Sequence, residues 1–83
     1  MPHVTLTHDD VLEDFATLAA GVTLGGTVRV GEAAYLGMNS SVREGRSVGS
    51  GAVLGMGATL VHDQPPRSTW AGTPARPLKK ENP

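Results

Sequence analysis

The feature that most constrains this chain is a six-residue repeat of aliphatic residues. Counting in sixes, ten successive positions are all Leu or Val: Leu6, Leu12, Leu18, Leu24, Val30, Leu36, Val42, Val48, Leu54 and Leu60. A period of six matches neither the 3.6-residue period of an α-helix nor the alternation and spacing of strands joined by hairpin turns. It is typical of short strands joined at regular corners, with the aliphatic side chains directed to a common axis.

Three such repeats close one triangular turn of about eighteen residues, and each turn is stabilised mainly by its neighbours. The ten repeats therefore predict an all-β fold, a single-stranded left-handed parallel β-helix of a little over three coils. The alternative, a small β-sandwich with glycine-rich turns, would not keep one phase through ten repeats.

The residues around each aliphatic position indicate how the corners are built. Residues two positions earlier are mostly small, and we expect them inside the coil; Asp10 and Arg46 break this pattern. Arg46 must leave the coil or meet a carboxylate such as Glu44 or Asp63. Glycine follows the aliphatic residue in half of the repeats, where we expect it to supply positive φ at a corner: Gly25, Gly31, Gly37, Gly49 and Gly55.

The repeat stops after Leu60, and the tandem prolines Pro65 and Pro66 follow. Proline cannot donate to a strand ladder, so we expect the coils to occupy about residues 4–64. Residues 65–83 are predicted to form an extended C-terminal tail, with Trp70 packed on a coil face or on a neighbouring subunit.

Composition narrows the class of protein further. The 83 residues allow one domain, with a net charge of -1 and no cysteine. No basic field would attract nucleic acid or an anionic membrane, and thiol chemistry is excluded. The N-terminus lacks the basic and apolar regions of a leader, and no apolar run has membrane-spanning length, so we expect a cytoplasmic protein.

Three segments resemble the hexapeptide-repeat sugar acyltransferases, in particular the bacterial sialic acid O-acetyltransferases and UDP-4-amino-sugar N-acetyltransferases. These segments are Leu36-Gly37-Met38-Asn39-Ser40-Ser41, Leu54-Gly55-Met56-Gly57-Ala58-Thr59-Leu60-Val61 and Ala71-Gly72-Thr73-Pro74-Ala75-Arg76-Pro77-Leu78. The last contains the Gly-x-Pro-Ala-Arg signature of that family. The resemblance implies acetyl-CoA as co-substrate, no metal, a homotrimer, and a small acceptor such as an amino sugar or a nucleotide sugar.

Two departures from the family pattern affect what is expected of the chain. Members of this subgroup usually carry an N-terminal nucleotide-sugar-binding domain and additional coils, and both are absent from residues 1–83, so the chain is either an excised piece of a longer protein or a naturally minimal relative. The family often has a histidine near the acetyl group where this chain has Thr17. This difference from the resembling family implies weaker binding of the thioester carbonyl, or a different acceptor.

His8 followed by Asp9 is the candidate catalytic pair. Acyl transfer to an amine or hydroxyl needs a general base, and an imidazole with an ordinary pKa near 6.5 accepts a proton at neutral pH. In the resembling family the corresponding pair acts at a subunit interface. The alternative is a surface histidine in a polar loop; His62 and His3 are weaker candidates because they lie where the coil unwinds and near the terminus.

The resemblance also implies which positions line the cofactor. A pantetheine arm is expected to run along a groove between neighbouring β-helices, near glycine corners that allow a close approach. The implied cofactor-binding positions are Thr17, Gly26, Met38, Gly55, Met56 and Ala58. Lys79 and Lys80 have the composition of a solvated tail, although they could also meet coenzyme A phosphates.

Two competing functions fit the same fold. A metal-dependent hydrase would need three histidines converging between subunits, an arrangement that His3, His8 and His62 do not offer. A trimeric binding or assembly module without catalysis is the stronger alternative, because the sugar-nucleotide domain of the resembling proteins is missing.

Overall fold

The computed structural model describes residues 10–78. Over that range the secondary structure is entirely β, in short strands whose second residue is the repeated Leu or Val through Leu60. The strands are β1 (Val11–Leu12), β2 (Thr17–Leu18), β3 (Thr23–Leu24), β4 (Arg29–Val30), β5 (Tyr35–Leu36), β6 (Ser41–Val42), β7 (Ser47–Val48), β8 (Val53–Leu54), β9 (Thr59–Leu60), β10 (Thr69–Ala71) and β11 (Arg76–Pro77).

The strands stack into three sheets, which form the faces of a triangular prism. Face one contains β1, β4 and β7; face two contains β2, β5, β8 and β10, with β11 at its end; face three contains β3, β6 and β9. Parallel neighbours join residues 18 apart, as Leu18 joins Leu36. Three repeats therefore make one coil, which confirms the predicted β-helix of about three coils.

Three corners connect the faces and position the surface described below. The one-two corner comprises residues 13–16, 31–34 and 49–52; the two-three corner comprises residues 19–22, 37–40 and 55–58; the three-one corner comprises residues 25–28, 43–46 and 61–63. The described residues contain no helix long and apolar enough to cross a membrane.

The prism axis is a continuous apolar column. The repeated residues from Leu24 to Leu60 are at most 2% exposed, and the small residues before them, such as Ala34 and Ala52, are equally buried. Ser40 is a buried polar member of this set, and its hydroxyl donates to Gly37 O at 2.7 Å. Each buried Leu or Val contributes about 1.5–3 kcal/mol, so the axis supplies most of the driving force for folding.

The five glycines that follow the aliphatic residues serve a different purpose from the one expected. None of these five has positive φ, so that expectation is wrong. A Cβ at Gly49 would lie 2.4 Å from Pro66 N, and at Gly31 2.6 Å from Ser50 N. Because strands of adjacent coils lie only about 4.8 Å apart, the next coil occupies the place of a side chain. Glycine is therefore required at these positions because the backbone of the next coil lies too close to leave room for a side chain.

Positive φ instead occurs three residues after each aliphatic position, at the tip of each corner. Half of these tips are not glycine, including the β-branched Thr27, a residue type for which the left-handed region is a true outlier. The tips have φ between 53° and 78°: Phe15, Gly21, Thr27, Ala33, Asn39, Gly45, Gly51 and Gly57.

The ladder continues beyond the tandem prolines, contrary to the expectation that residues after 64 form an extended tail. Gln64 bridges to Val48, and Trp70 pairs with Leu54, in both cases with a spacing of 16 residues instead of 18. The repeat after Leu60 is therefore two residues shorter, and this shift hides the period in the sequence. Pro65 and Pro66 lie between the two points of pairing, where no strand hydrogen bond is needed.

Gln64 takes the axial position of the shortened repeat. It is 2% exposed, and its Nε2 donates to Val53 O at 2.8 Å and to Ser68 O at 3.0 Å. Among the described residues its Oε1 has no partner. The amide thus joins β8 to the segment that leads into β10. These two hydrogen bonds allow a polar side chain to occupy a buried position that is aliphatic in the earlier repeats.

The C-terminal end of the axis is closed by a hairpin of β10 and β11. Trp70 is 9% exposed and belongs to the core cluster of its own chain, instead of packing on a coil face or on a neighbouring subunit as expected. Ala75 beside it is 3% exposed. At the opposite end Leu12 is 42% exposed, because the described residues include no coil below it.

Asp10 and Arg46, which break the small-residue pattern, each take part in an interaction that involves a carboxylate. Asp10 Oδ1 accepts a hydrogen bond from Val28 N at 3.0 Å, so its side chain continues the ladder. Asp63 Oδ1 accepts from Ser47 N at 3.0 Å and lies 3.9 Å from Arg46 Nη1. Of the outcomes expected for Arg46, the structure shows a partly exposed guanidinium that faces Asp63.

Candidate functional site

The predicted catalytic pair, His8 and Asp9, lies outside the described residues, so its role stays a prediction. All six predicted cofactor positions are described. Four of them, Met38, Gly55, Met56 and Ala58, share the two-three corner on adjacent coils.

The two methionines are exposed on this corner, where Asn39 and Gly57 are exposed beside them. Met38 is 47% exposed and Met56 is 73% exposed, and they occupy equivalent positions on successive coils. Gly57 N donates to Met38 O at 2.8 Å, which links the two coils at this point. A Cβ added to Gly57 would have no described atom of another residue, apart from its chain neighbours, within 4 Å. The corner therefore offers an apolar, sterically open strip parallel to the prism axis.

Gly55 and Ala58 contribute to this corner from inside. A Cβ on Gly55 would lie 3.0 Å from Ala71 Cβ, so this glycine lets the last coil approach. Ala58 is fully buried; its N–H donates to Gly55 O at 3.2 Å and its carbonyl accepts from Ser41 N at 2.8 Å. The Ala58 side chain faces the core, so a ligand on the corner would meet its neighbours instead.

Gly26 and Thr17 lie apart from that cluster. Gly26 belongs to the three-one corner, with φ 107° and a carbonyl that accepts from Gly45 N at 3.0 Å. Face three, with outward residues Thr23, Ser41 and Thr59, separates it from the methionine corner. Thr17 is exposed on face two, one coil before the level of Met38.

Tyr35 is a surface residue that sequence reasoning did not select. It is the register partner of Thr17 on one side and of Val53 on the other, and it is 44% exposed. The sequence could have indicated Tyr35 because it lies one coil after Thr17. That spacing is recognised only when the length of a coil is known.

A concave region lies on the one-two corner. A shallow cavity of about 300 Å³ is lined by Glu13, Asp14 and Glu32. Glu13 is already paired with Arg29 across face one at 2.5 Å. Within residues 10–78 no three His, Cys, Asp or Glu side chains converge as metal ligands.

Comparison with known proteins relates this geometry to a group of enzymes. No family model matches the chain. Among solved structures, the acetyltransferase domain of PglB from Neisseria gonorrhoeae, in complex with acetyl coenzyme A, is 38% identical, with a TM-score of 0.91 over 94% of this chain and 38% of that chain.

Two further solved structures of acetyltransferases are also similar to this chain. A perosamine N-acetyltransferase variant from Caulobacter crescentus, in complex with CoA and GDP-perosamine, is 32% identical, with a TM-score of 0.85 over 87% of this chain and 34% of that chain. Serine acetyltransferase from Neisseria gonorrhoeae is 30% identical, with a TM-score of 0.88 over 93% of this chain and 33% of that chain.

The chain thus spans between 33% and 38% of the length of these three structures. The similarity covers between 87% and 94% of this chain. The resemblance seen in the sequence is confirmed at this level: the structural neighbours of this parallel β-helix are the hexapeptide-repeat acetyltransferases.

Proposed function

We propose that this chain is an acetyl-CoA-dependent acetyltransferase that modifies an amine or hydroxyl of a small acceptor, such as an amino sugar or a nucleotide sugar. One observation carries the proposal: 94% of the chain superposes, at 38% identity, on an acetyltransferase domain in complex with acetyl coenzyme A. The sugar class of acceptor is supported by the perosamine N-acetyltransferase neighbour.

The cofactor is proposed to lie along the two-three corner. The pantetheine arm is a chain of methylene and amide groups, and exposed thioether side chains such as Met38 and Met56 supply adaptable apolar contacts for it. The open space over Gly57 leaves room for close approach of the arm to the backbone. Thr17, one coil below Met38, is proposed to meet the acetyl end.

The position of Gly26 supports a homotrimer with its sites between subunits. Gly26 lies on the three-one corner, across face three from the methionines, so one groove along a single prism does not include both. By sequence count His8 lies eighteen residues before Gly26, the spacing that separates adjacent coils. We propose that the three-one corner of one subunit brings His8 to the two-three corner of the next.

In this arrangement each group has one task in the reaction. His8, oriented by Asp9, takes the proton of the acceptor amine or hydroxyl as its lone pair attacks the thioester carbonyl carbon. The carbonyl electrons move to oxygen and return as the carbon–sulfur bond breaks, and the proton passes to the coenzyme A thiolate. The products are the acetylated acceptor and free coenzyme A.

The absence of cysteine in the chain is compatible with a reducing compartment, and we place the enzyme in the cytoplasm, where acetyl-CoA is available. We treat residues 1–83 as a single β-helix domain.

Acetyl-CoA binding tests the proposal. A ligand at a hundred times its dissociation constant stabilises the native state by about 2.7 kcal/mol, which raises the melting temperature by several degrees. Met56→Glu should abolish that rise, because a carboxylate on the corner repels an anionic cofactor, whereas Val11→Glu on face one should keep it.

An acetyl-transfer assay over amino sugars, with release of free thiol as the readout, separates the enzyme from a binding module. Binding without transfer to any acceptor would favour the module. If acetyl-CoA stabilises neither the wild type nor Val11→Glu, the chain has no cofactor site and the proposal fails.

A further inference from the structure

Tyr35 lies beside the position proposed for the acetyl group. Thr17 and Tyr35 are register partners on adjacent parallel strands, and both are exposed on face two. Such strands are about 4.8 Å apart, so the side chains are direct neighbours on the surface. Tyr35 belongs to the same coil as Met38, so it lies one coil above Thr17 and one coil below Met56.

The strand that carries Tyr35 is held on both sides. Tyr35 N donates to Ala52 O and Thr17 N donates to Ala34 O, each at 2.8 Å, so both outward positions belong to continuous ladders. The Tyr35 hydroxyl makes no hydrogen bond with another residue of the described range. The phenol is therefore a donor without a partner among the described residues, and it is carried by a strand that is hydrogen-bonded on both sides.

The proposed reaction needs such a donor. Negative charge develops on the thioester oxygen as the acceptor attacks, and aimed hydrogen-bond donors stabilise it. Met38 and Met56 offer only weak acceptors, while Gly55 and Ala58 have no polar side-chain atom. The hydroxyl of Thr17 is short and close to the strand, whereas the phenol of Tyr35 extends further from it.

We propose that the Tyr35 phenol donates a hydrogen bond to the thioester carbonyl oxygen of acetyl-CoA and is a catalytic residue of this enzyme. The inference rests on the proposed function. During transfer the acceptor lone pair forms the new bond to the carbonyl carbon, and the former π electrons reside on the oxygen that Tyr35 contacts. When they return, the carbon–sulfur bond breaks and coenzyme A leaves.

The test is Tyr35→Phe, which keeps the ring between its register partners Thr17 and Val53 but removes the donor. We expect kcat to fall roughly 10²-fold, the loss typical of one oxyanion donor, with the acetyl-CoA Kd changed by less than about threefold. The matched control is Thr69→Val, which removes a hydroxyl two coils higher on face two and should leave both constants unchanged. Equal kcat in wild type and Tyr35→Phe would refute the role of the phenol while leaving the acetyltransferase intact.

A second readout does not depend on the acceptor. The infrared band of a ¹³C-labelled acetyl-CoA carbonyl should move to lower wavenumber when bound to wild type and to Thr69→Val, and return toward the free value in Tyr35→Phe. The same band position in wild type and Tyr35→Phe would overturn the proposal. If wild type binds no acetyl-CoA in this titration, the proposed function fails and the Tyr35 proposal fails with it.

Discussion

Truncation of Leu36 is expected to cost far more stability than truncation of Leu12, although the two occupy equivalent positions in the repeat. Leu36 is 0% exposed and Leu12 is 42% exposed. Leu→Ala at a buried position costs about 2–5 kcal/mol, and the cost is largest where the surroundings cannot collapse. Around Leu36 they cannot: Ala19 N donates to Leu36 O at 2.9 Å and Gly37 N donates to Leu54 O at 2.8 Å, so both adjacent coils are held in place.

We therefore expect Leu36→Ala to lose about 4 kcal/mol and Leu12→Ala less than about 1.5 kcal/mol. At about 0.05–0.15 kcal/mol per residue, the former is a large fraction of the total stability of a chain of this length. Leu36→Asp should not fold, because a carboxylate on the axis would have neither water nor a partner.

The assay is urea unfolding at fixed protein concentration, since any association of subunits would make the midpoint depend on concentration. Circular dichroism reports the whole ladder, and fluorescence of Trp70, which is 9% exposed, reports the last coil. Equal losses for Leu12→Ala and Leu36→Ala, or a folded Leu36→Asp, would mean that the described axis is not what stabilises the molecule.

Three further predictions follow from the proposed site and the coil geometry. His8→Ala should reduce acetyl transfer by about 10²–10⁴-fold while acetyl-CoA binding is kept, and Asp9→Asn should cost less; transfer at the wild-type rate by His8→Ala would place the base elsewhere. Sedimentation at micromolar concentration should give three times the 8.6 kDa chain mass, and a stable monomer would contradict the site between subunits. Gly49→Ala should destabilise more than Gly57→Ala, because its Cβ would lie 2.4 Å from Pro66 N, whereas a Cβ at Gly57 meets open space and adds only the strain of its φ of 71°; equal losses in thermal melts would mean that close approach is not the reason for glycine at position 49.

The candidate site was only partly accessible from sequence. The residues Met38, Gly55 and Met56 were selected together and do lie on one corner, since Met38 and Met56 are separated by the coil spacing and Gly55 directly precedes Met56. The same reasoning also selected Gly26 and Ala58 for a groove between neighbouring β-helices; Gly26 lies on the three-one corner, and the side chain of Ala58 lies in the core. Which of two neighbouring positions faces outward depends on the backbone at each corner, and a residue-type pattern does not contain that information.

The fold itself follows from the sequence because the aliphatic period is independent of context. A Leu or Val recurs at every sixth position through Leu60. A coil that closes after three repeats directs all of these side chains to one buried axis. Tertiary structure decided everything that depends on contacts between coils. Gly49 is needed because Pro66 lies against it, Gln64 takes an axial position after a repeat shortened by two residues, and Tyr35 becomes a neighbour of Thr17 through strand register. These contacts join residues 16 to 18 positions apart, and no local propensity encodes them; they exist only once the coils have stacked.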